Sequence, residues 1–247
     1  MDWILLRGLT REQAHWGDFL EQLRHAFPDH RLHTVDLPGT GVHYRDNSPA
    51  TIAGIREQVC RQVSHIPRPL SVVALSMGGM VALDWAQHAQ PGELQHLVLL
   101  NSSSGFSPPW QRMRPGAWPR IARLLARREL FDRERDILRL TSNRPVPLAL
   151  AKRWYSIQRQ RPVSLGNAMN QLRAAARFTP GAERPMADAL LLASRGDRIV
   201  HWRCSAALEQ RWCWTLKLHP DAGHDLPMDD PAWVIAQLGH WLGRPVA

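Results

Sequence analysis

Residues 72–80 read VVALSMGGM. Four apolar residues run into a lone hydroxyl, and two glycines follow within three positions. The change of texture predicts a strand that bends sharply into a helix, with Ser76 on the bend. A serine placed there is either a turn former or a nucleophile held clear of the sheet. The surrounding elements decide between the two.

Strand-like runs recur on both sides: 3–6 (WILL), 31–39 (RLHTVDLPG), 71–75 (SVVAL), 94–101 (LQHLVLLN), 187–194 (ADALLLAS) and 214–218 (WTLKL). Helical patterns lie between them. Residues 12–26 carry Trp16, Phe19, Leu20 and Leu23 at the spacing of one helical face. Residues 51–63 do the same with Ile52, Ile55, Val59 and Val63, behind Thr51 as an N-cap. Further helices are predicted over 78–89, 204–212 and 232–242. Near-continuously apolar strands alternating with helices predict an α/β fold, a mostly parallel sheet with helices on both faces. In such sheets ligands bind beyond the carboxyl ends of the strands.

That placement selects three side chains. Ser76 follows 71–75 and opens a helix. Asp197 follows 187–194 in the loop RGDRIV, and His224 follows 214–218 in the loop HPDAGHDLP. A serine hydroxyl is a poor nucleophile until a base takes its proton, which an imidazole near neutrality does. A carboxylate on the other ring nitrogen fixes the tautomer. Among rival acids, Asp188 precedes its strand, and Asp221 and Asp225 are too close to His224 to come from another strand. His201 and His219 are rival imidazoles. Taken singly, each of the three residues is also a common turn former or loop donor.

Composition bounds the remaining choices. At 247 residues with 44% apolar content and eleven tryptophans, the chain has ample material for one large core. No apolar run reaches the roughly 20 residues a spanning helix needs, so no membrane span is expected. The start, MDWILLRG, has an acid at residue 2 and no basic flank, and does not read as a signal peptide. Cys60, Cys204 and Cys213 lack ligand spacing, which predicts no metal site and reduced, mostly buried thiols in a cytoplasmic protein. The net charge of +9 sits in one segment: residues 105–185 hold 17 Lys and Arg against 5 Asp and Glu, while the rest holds 14 against 17. Nucleic-acid binding would want a binding module or basic residues interleaved with exposed aromatics, and neither is present.

The order Ser76, Asp197, His224, each after its own strand, and the elbow Ala74-Leu75-Ser76-Met77-Gly78 resemble the α/β-hydrolase superfamily, whose nucleophile motif is G-x-S-x-G. Ala74 replaces the first glycine but keeps that position small. The run VDLPGTG (35–41) resembles the family's D-x-P-G-x-G loop, taken as structural. The resemblance implies a hydrolase core over 1–104 and 186–247, and a helical cap over 105–185. It implies no cofactor, and oxyanion donors at the backbone amides of Leu9 and Met77, although Arg7 stands where the family often has His before Gly8. Among members, the chain is similar to small capped bacterial carboxylesterases, including the pimeloyl-acyl-carrier-protein methyl ester esterase group. The implied activity is a serine hydrolase acting on a small-molecule carboxylic ester or thioester. The other reading is a catalytically silent binding protein that docks an acidic partner on the basic cap.

Within that cap, 121–140 has helical periodicity, anchored by Ile121, Leu124, Leu125, Leu130, Phe131, Ile137 and Leu138. Its arginines, Arg123, Arg127 and Arg128 foremost, form either a solvated face or a docking surface for an acidic acyl carrier protein.

Overall fold

The apolar runs form strands close to their expected bounds. In chain order the first elements are β1 (Asp2–Leu6), α1 (Phe19–Ala26), β2 (Arg31–Val35), α2 (Ile52–Gln62), β3 (Leu70–Leu75), α3 (Met77–His88) and β4 (Leu94–Leu100). Five helices follow: α4 (Pro109–Arg112), α5 (Trp118–Ala126), α6 (Leu130–Thr141), α7 (Leu148–Gln160) and α8 (Leu165–Arg177). The chain then closes with β5 (Leu190–Ser194), α9 (Arg203–Trp212), β6 (Thr215–His219), α10 (Leu226–Asp229) and α11 (Pro231–Trp241). This computed structural model describes residues 1–244 without the side chain of Leu125, so the expected anchor at Leu125 lies outside the described residues.

All six strands are parallel, in the order β2-β1-β3-β4-β5-β6. Alternate strand residues serve opposite faces, because side chains along a strand have a period of two. Ile4, Leu6, Val72, Ala74, Leu97 and Leu99 pack with Ile55 and Val59 of α2, Val81 and Leu83 of α3, and Leu208 of α9. Trp3, Leu5, Val73, Leu75, Val98 and Leu100 pack with Phe19 and Leu23 of α1 and Val234 and Leu238 of α11. The chain leaves β1 toward β2 and returns to the other side of β1 as β3. The order therefore reverses between β1 and β3, and that is where an open α/β sheet forms its ligand crevice.

Local chemistry sets the element ends. Thr51 caps α2, its hydroxyl accepting from the Gly54 amide at 3.2 Å. Asp36 braces the 35–41 loop by accepting from the amides of Gln13 (2.7 Å) and Val42 (2.9 Å). A β-carbon at Gly41 would fall 1.9 Å from the Asp36 carboxylate, so only glycine fits that turn.

Three expectations need correction. The helix expected over 12–26 is a 3-10 turn, Gln13–Trp16, and then α1, because Gly17 has φ 55° and a left-handed residue cannot continue a right-handed helix. The 121–140 stretch is two helices, α5 and α6, joined by extended backbone at Arg127 and Glu129. One straight helix would set Leu130 and Ile137 roughly opposite Ile121 and Leu124, and the break lets each apolar stripe find its own partner. Of the cysteines, Cys204 is buried, Cys60 half-buried and Cys213 exposed, where left-handed backbone (φ 54°) ends α9. All three thiols are unpaired.

Candidate active site

Ser76 links β3 to α3 with φ 57° and ψ −119°, a conformation that costs a non-glycine residue about 1–3 kcal/mol. The surroundings hold it there. Its amide donates to the Leu100 carbonyl at 2.8 Å, and its own carbonyl accepts from the Ser102 hydroxyl at 2.8 Å and the Gly79 amide at 3.0 Å. The glycines after it are required by close approach. A β-carbon at Gly78 would lie 2.5 Å from the Arg7 carbonyl oxygen, and one at Gly79 would lie 2.6 Å from Ser102 Oγ. Ala74, fully buried, occupies the small position before the bend.

The loops after β5 and β6 bring the other two residues to the serine. His224 Nδ1 lies 2.7 Å from Asp197 Oδ2, and His224 Nε2 lies 2.9 Å from Ser76 Oγ. A carboxylate only accepts, so Nδ1 carries the proton and Nε2 is left to accept from the serine hydroxyl. Asp197 is fully buried, and its other oxygen accepts from the amides of Ile199 (2.7 Å) and Val200 (3.0 Å). Burial acts to lower the His224 pKa, but the charge and hydrogen bond of Asp197, helped by Asp225, outweigh it and hold it above 6.5.

The loop after β1 completes the crevice. A β-carbon at Gly8 would lie 3.0 Å from Ser76 Cβ and 3.5 Å from its Oγ, so the backbone of this loop rests against the serine. The amides of Leu9 and Met77 donate to no other described residue. The Arg7 side chain is buried. It forms a bidentate pair with the Asp225 carboxylate (3.1 Å and 2.5 Å), both side chains almost wholly buried, and its guanidinium lies 4.9 Å over the Trp16 ring.

The rival residues have other engagements. Asp188 accepts from the Trp241 indole at 2.7 Å at the far end of the sheet, and Asp221 pairs with Arg144 at 2.9 Å. His219 faces Asp230 at 3.1 Å, and His201 accepts from the Arg203 amide. Among the described residues, no group of three or more His, Cys, Asp or Glu is arranged to hold a metal, and no helix is long and apolar enough to cross a membrane. Of the three arginines singled out within residues 105–185, Arg123 and Arg128 are exposed, whereas Arg127 is engaged by Asp136 at 2.8 Å.

Sequence reasoning missed the buried ionic contacts around the crevice. Besides Arg7 and Asp225, Arg11 pairs with Glu134 of α6 at 2.7 Å beneath the Trp154 ring, and Glu12 meets Arg161 at 2.7 Å. Burial pushes Glu12 up to about 7 despite that arginine. The one available signal was four charged residues, Arg7, Arg11, Glu12 and Glu134, within otherwise apolar or helical runs.

Comparison with known proteins bears on the family and the fold. The chain is 34% identical over 116 residues to a pimeloyl-[acyl-carrier protein] methyl ester esterase of Vibrio vulnificus, covering 46% of this chain and 42% of that protein. It is 33% identical over 118 residues to the protein of the same description from Nitrosomonas europaea, covering 48% and 41%. The match thus spans less than half of either relative. Among solved structures, an esterase from Exiguobacterium antarcticum superposes with a TM-score of 0.77 at 13% identity, over 98% of this chain and 92% of that one. A hydrolase from Pseudomonas aeruginosa gives 0.74 at 20% identity, over 98% and 89%. At such identities the likeness is one of fold. The alpha/beta hydrolase family profile matches residues 3–237, and the chain belongs to that family.

Proposed function

We propose that the protein is a serine hydrolase that cleaves a carboxylic ester or thioester through an acyl-enzyme intermediate. The observation that supports this most is the linked geometry of Ser76, His224 and Asp197, at 2.9 Å and 2.7 Å, on a serine held in a strained turn. In this reading His224 Nε2 takes the hydroxyl proton as Ser76 Oγ attacks the acyl carbon. Asp197 steadies the imidazolium, and the proton then passes to the departing alcohol or thiol. The amides of Leu9 and Met77 receive the oxyanion, the second from the N-terminus of α3. Water attacks the acyl-enzyme by the same route. The chemistry needs no metal or organic cofactor.

Residues 105–185 serve in this proposal as a cap over the crevice. The relatives' substrate is an ester on an acyl carrier protein, and the positive excess of this segment suits an acidic carrier, with exposed Arg123 and Arg128 as the first contacts. Three unpaired thiols, two with pKa values raised by burial to about 11, fit a reducing cytoplasm. The test is hydrolysis by purified protein of p-nitrophenyl esters of graded length alongside carrier-linked methyl esters. Activity that vanishes in Ser76→Ala supports the reading. Equal activity in wild type and Ser76→Ala, or none on any ester, would overturn it.

A further inference from the structure

Asn143 lies just beyond α6, in the inserted segment, yet its side chain reaches both loops that carry the acid and the base. Its Nδ2 donates to the Gly196 carbonyl at 2.9 Å and to the Asp221 carbonyl at 2.7 Å. Gly196 directly precedes Asp197, and Asp221 stands three residues before His224. An amide nitrogen has two hydrogens, so both carbonyls are served at once. The two loops touch at that point, since a β-carbon at Gly196 would lie 2.4 Å from the Asp221 oxygen. The Asn143 Oδ1 is buried with no partner among the described residues, a cost that makes sense only if the residue is kept for its donors.

The neighbouring backbone grips the same loops. The Asn143 and Gly223 amides share Asp229 Oδ2 at 2.8 Å and 2.6 Å, and the Asp225 amide donates to the Thr141 carbonyl at 2.9 Å. From the core side Asn101 does the complementary work: its Nδ2 donates to the His224 carbonyl at 2.9 Å while its Oδ1 accepts from the Ser194 amide at 2.8 Å. The catalytic loops are thus held from below by the sheet and from above by the insert.

We propose that Asn143 is a positioning residue, whose side-chain amide clasps the acid loop to the histidine loop and so sets the Asp197–His224 register. The segment that covers the crevice is then part of what aligns its chemistry. The proposal rests on the triad reading above.

A loop that only stabilises the fold would lower thermal stability and leave each folded molecule unchanged. Asn143→Ala instead lowers kcat about 10- to 100-fold per folded molecule, the scale of a slight misplacement of catalytic groups, with KM little altered. The acid limb of its pH–rate profile moves to lower pH, because a loosened Asp197 raises the His224 pKa less. Asn143→Leu keeps the volume, loses both donors without adding a charge and gives the same shift, which covers a failure of Asn143→Ala to fold. Asn170→Ala removes another contact of the insert, the 3.0 Å bond to the Ser48 carbonyl, and leaves the limb in place. The low-field proton resonance of His224 Nδ1 gives a readout that does not depend on turnover, and it shifts in both Asn143 variants. An unchanged resonance and limb in the folded Asn143 variants, or an equal shift in Asn170→Ala, would overturn the proposal. Activity that persists in Ser76→Ala would instead strike at the triad reading.

Discussion

Replacing Arg7 by methionine removes the only side-chain partner, among the described residues, of a carboxylate that is almost wholly buried. The Asp225 oxygens sit 3.1 Å and 2.5 Å from the two guanidinium nitrogens. Stranding a buried charge in this way costs about 3–5 kcal/mol, whereas replacing both members with apolar side chains of similar volume is often neutral. Loss of the contact with Trp16 adds on the order of 1 kcal/mol. Against a total stability of roughly 5–15 kcal/mol, Arg7→Met alone should move the urea midpoint down by about 1 M or more. The double variant Arg7→Met with Asp225→Leu should recover most of that loss. The same pair acts on the base with opposite signs, Asp225 raising and Arg7 lowering the His224 pKa. Arg7→Met should therefore shift the acid limb of kcat/KM to higher pH, and Asp225→Asn to lower pH. A full denaturation cycle with pH–rate profiles measures both effects. A loss below about 1 kcal/mol in Arg7→Met, with no rescue in the double variant, would refute the reasoning.

The other expectations follow from the same contacts. In wild type, kcat/KM should rise with pH through a value above 6.5, because the base must be neutral to act and its folded pKa is raised; Asp197→Asn should lower turnover by several orders of magnitude and abolish that shift. By linkage, the raised pKa stabilises the fold most below pH 6.5, and that contribution fades as pH climbs through the folded value, which urea titrations of wild type and Asp197→Asn should resolve. Gly78→Ala forces a methyl to 2.5 Å from a backbone carbonyl and should destabilise markedly, while Ala74→Gly should be mild; thermal melts compare them. If the insert docks an acidic carrier, raising salt from 0.01 to 0.1 M shortens the screening length from about 30 to about 10 Å and should slow carrier-linked turnover but not that of a small neutral ester. Reversing Arg123 and Arg128 to glutamate should reproduce the difference, and equal responses of the two substrates would mean a merely solvated face.

The six strands and the places of Ser76, Asp197 and His224 were legible because each rests on a local signal. A continuous apolar run has strand texture, and the residue after it lies at the sheet's carboxyl edge. What stayed hidden depends on contacts between distant parts of the chain. Arg7 and Asp225 lie 218 positions apart, so nothing near Arg7 announces its partner. Asn143 reads as an ordinary turn residue, and only the fold shows that Gly196 and Asp221 meet beneath it. The breaks at Gly17 and at 127–129 were missed because each half carries helical spacing of its own, and the half-turn slip in phase between Ile121–Leu124 and Leu130–Ile137 was the signal left unread.

The central claim is that His224 activates Ser76 as the nucleophile. Labelling with a fluorophosphonate, followed by peptide mass spectrometry, reads it directly. The account predicts one adduct, on Ser76, forming rapidly in wild type, far more slowly in His224→Ala and not at all in Ser76→Ala. An adduct on another residue, or equal labelling of wild type and Ser76→Ala, would contradict it.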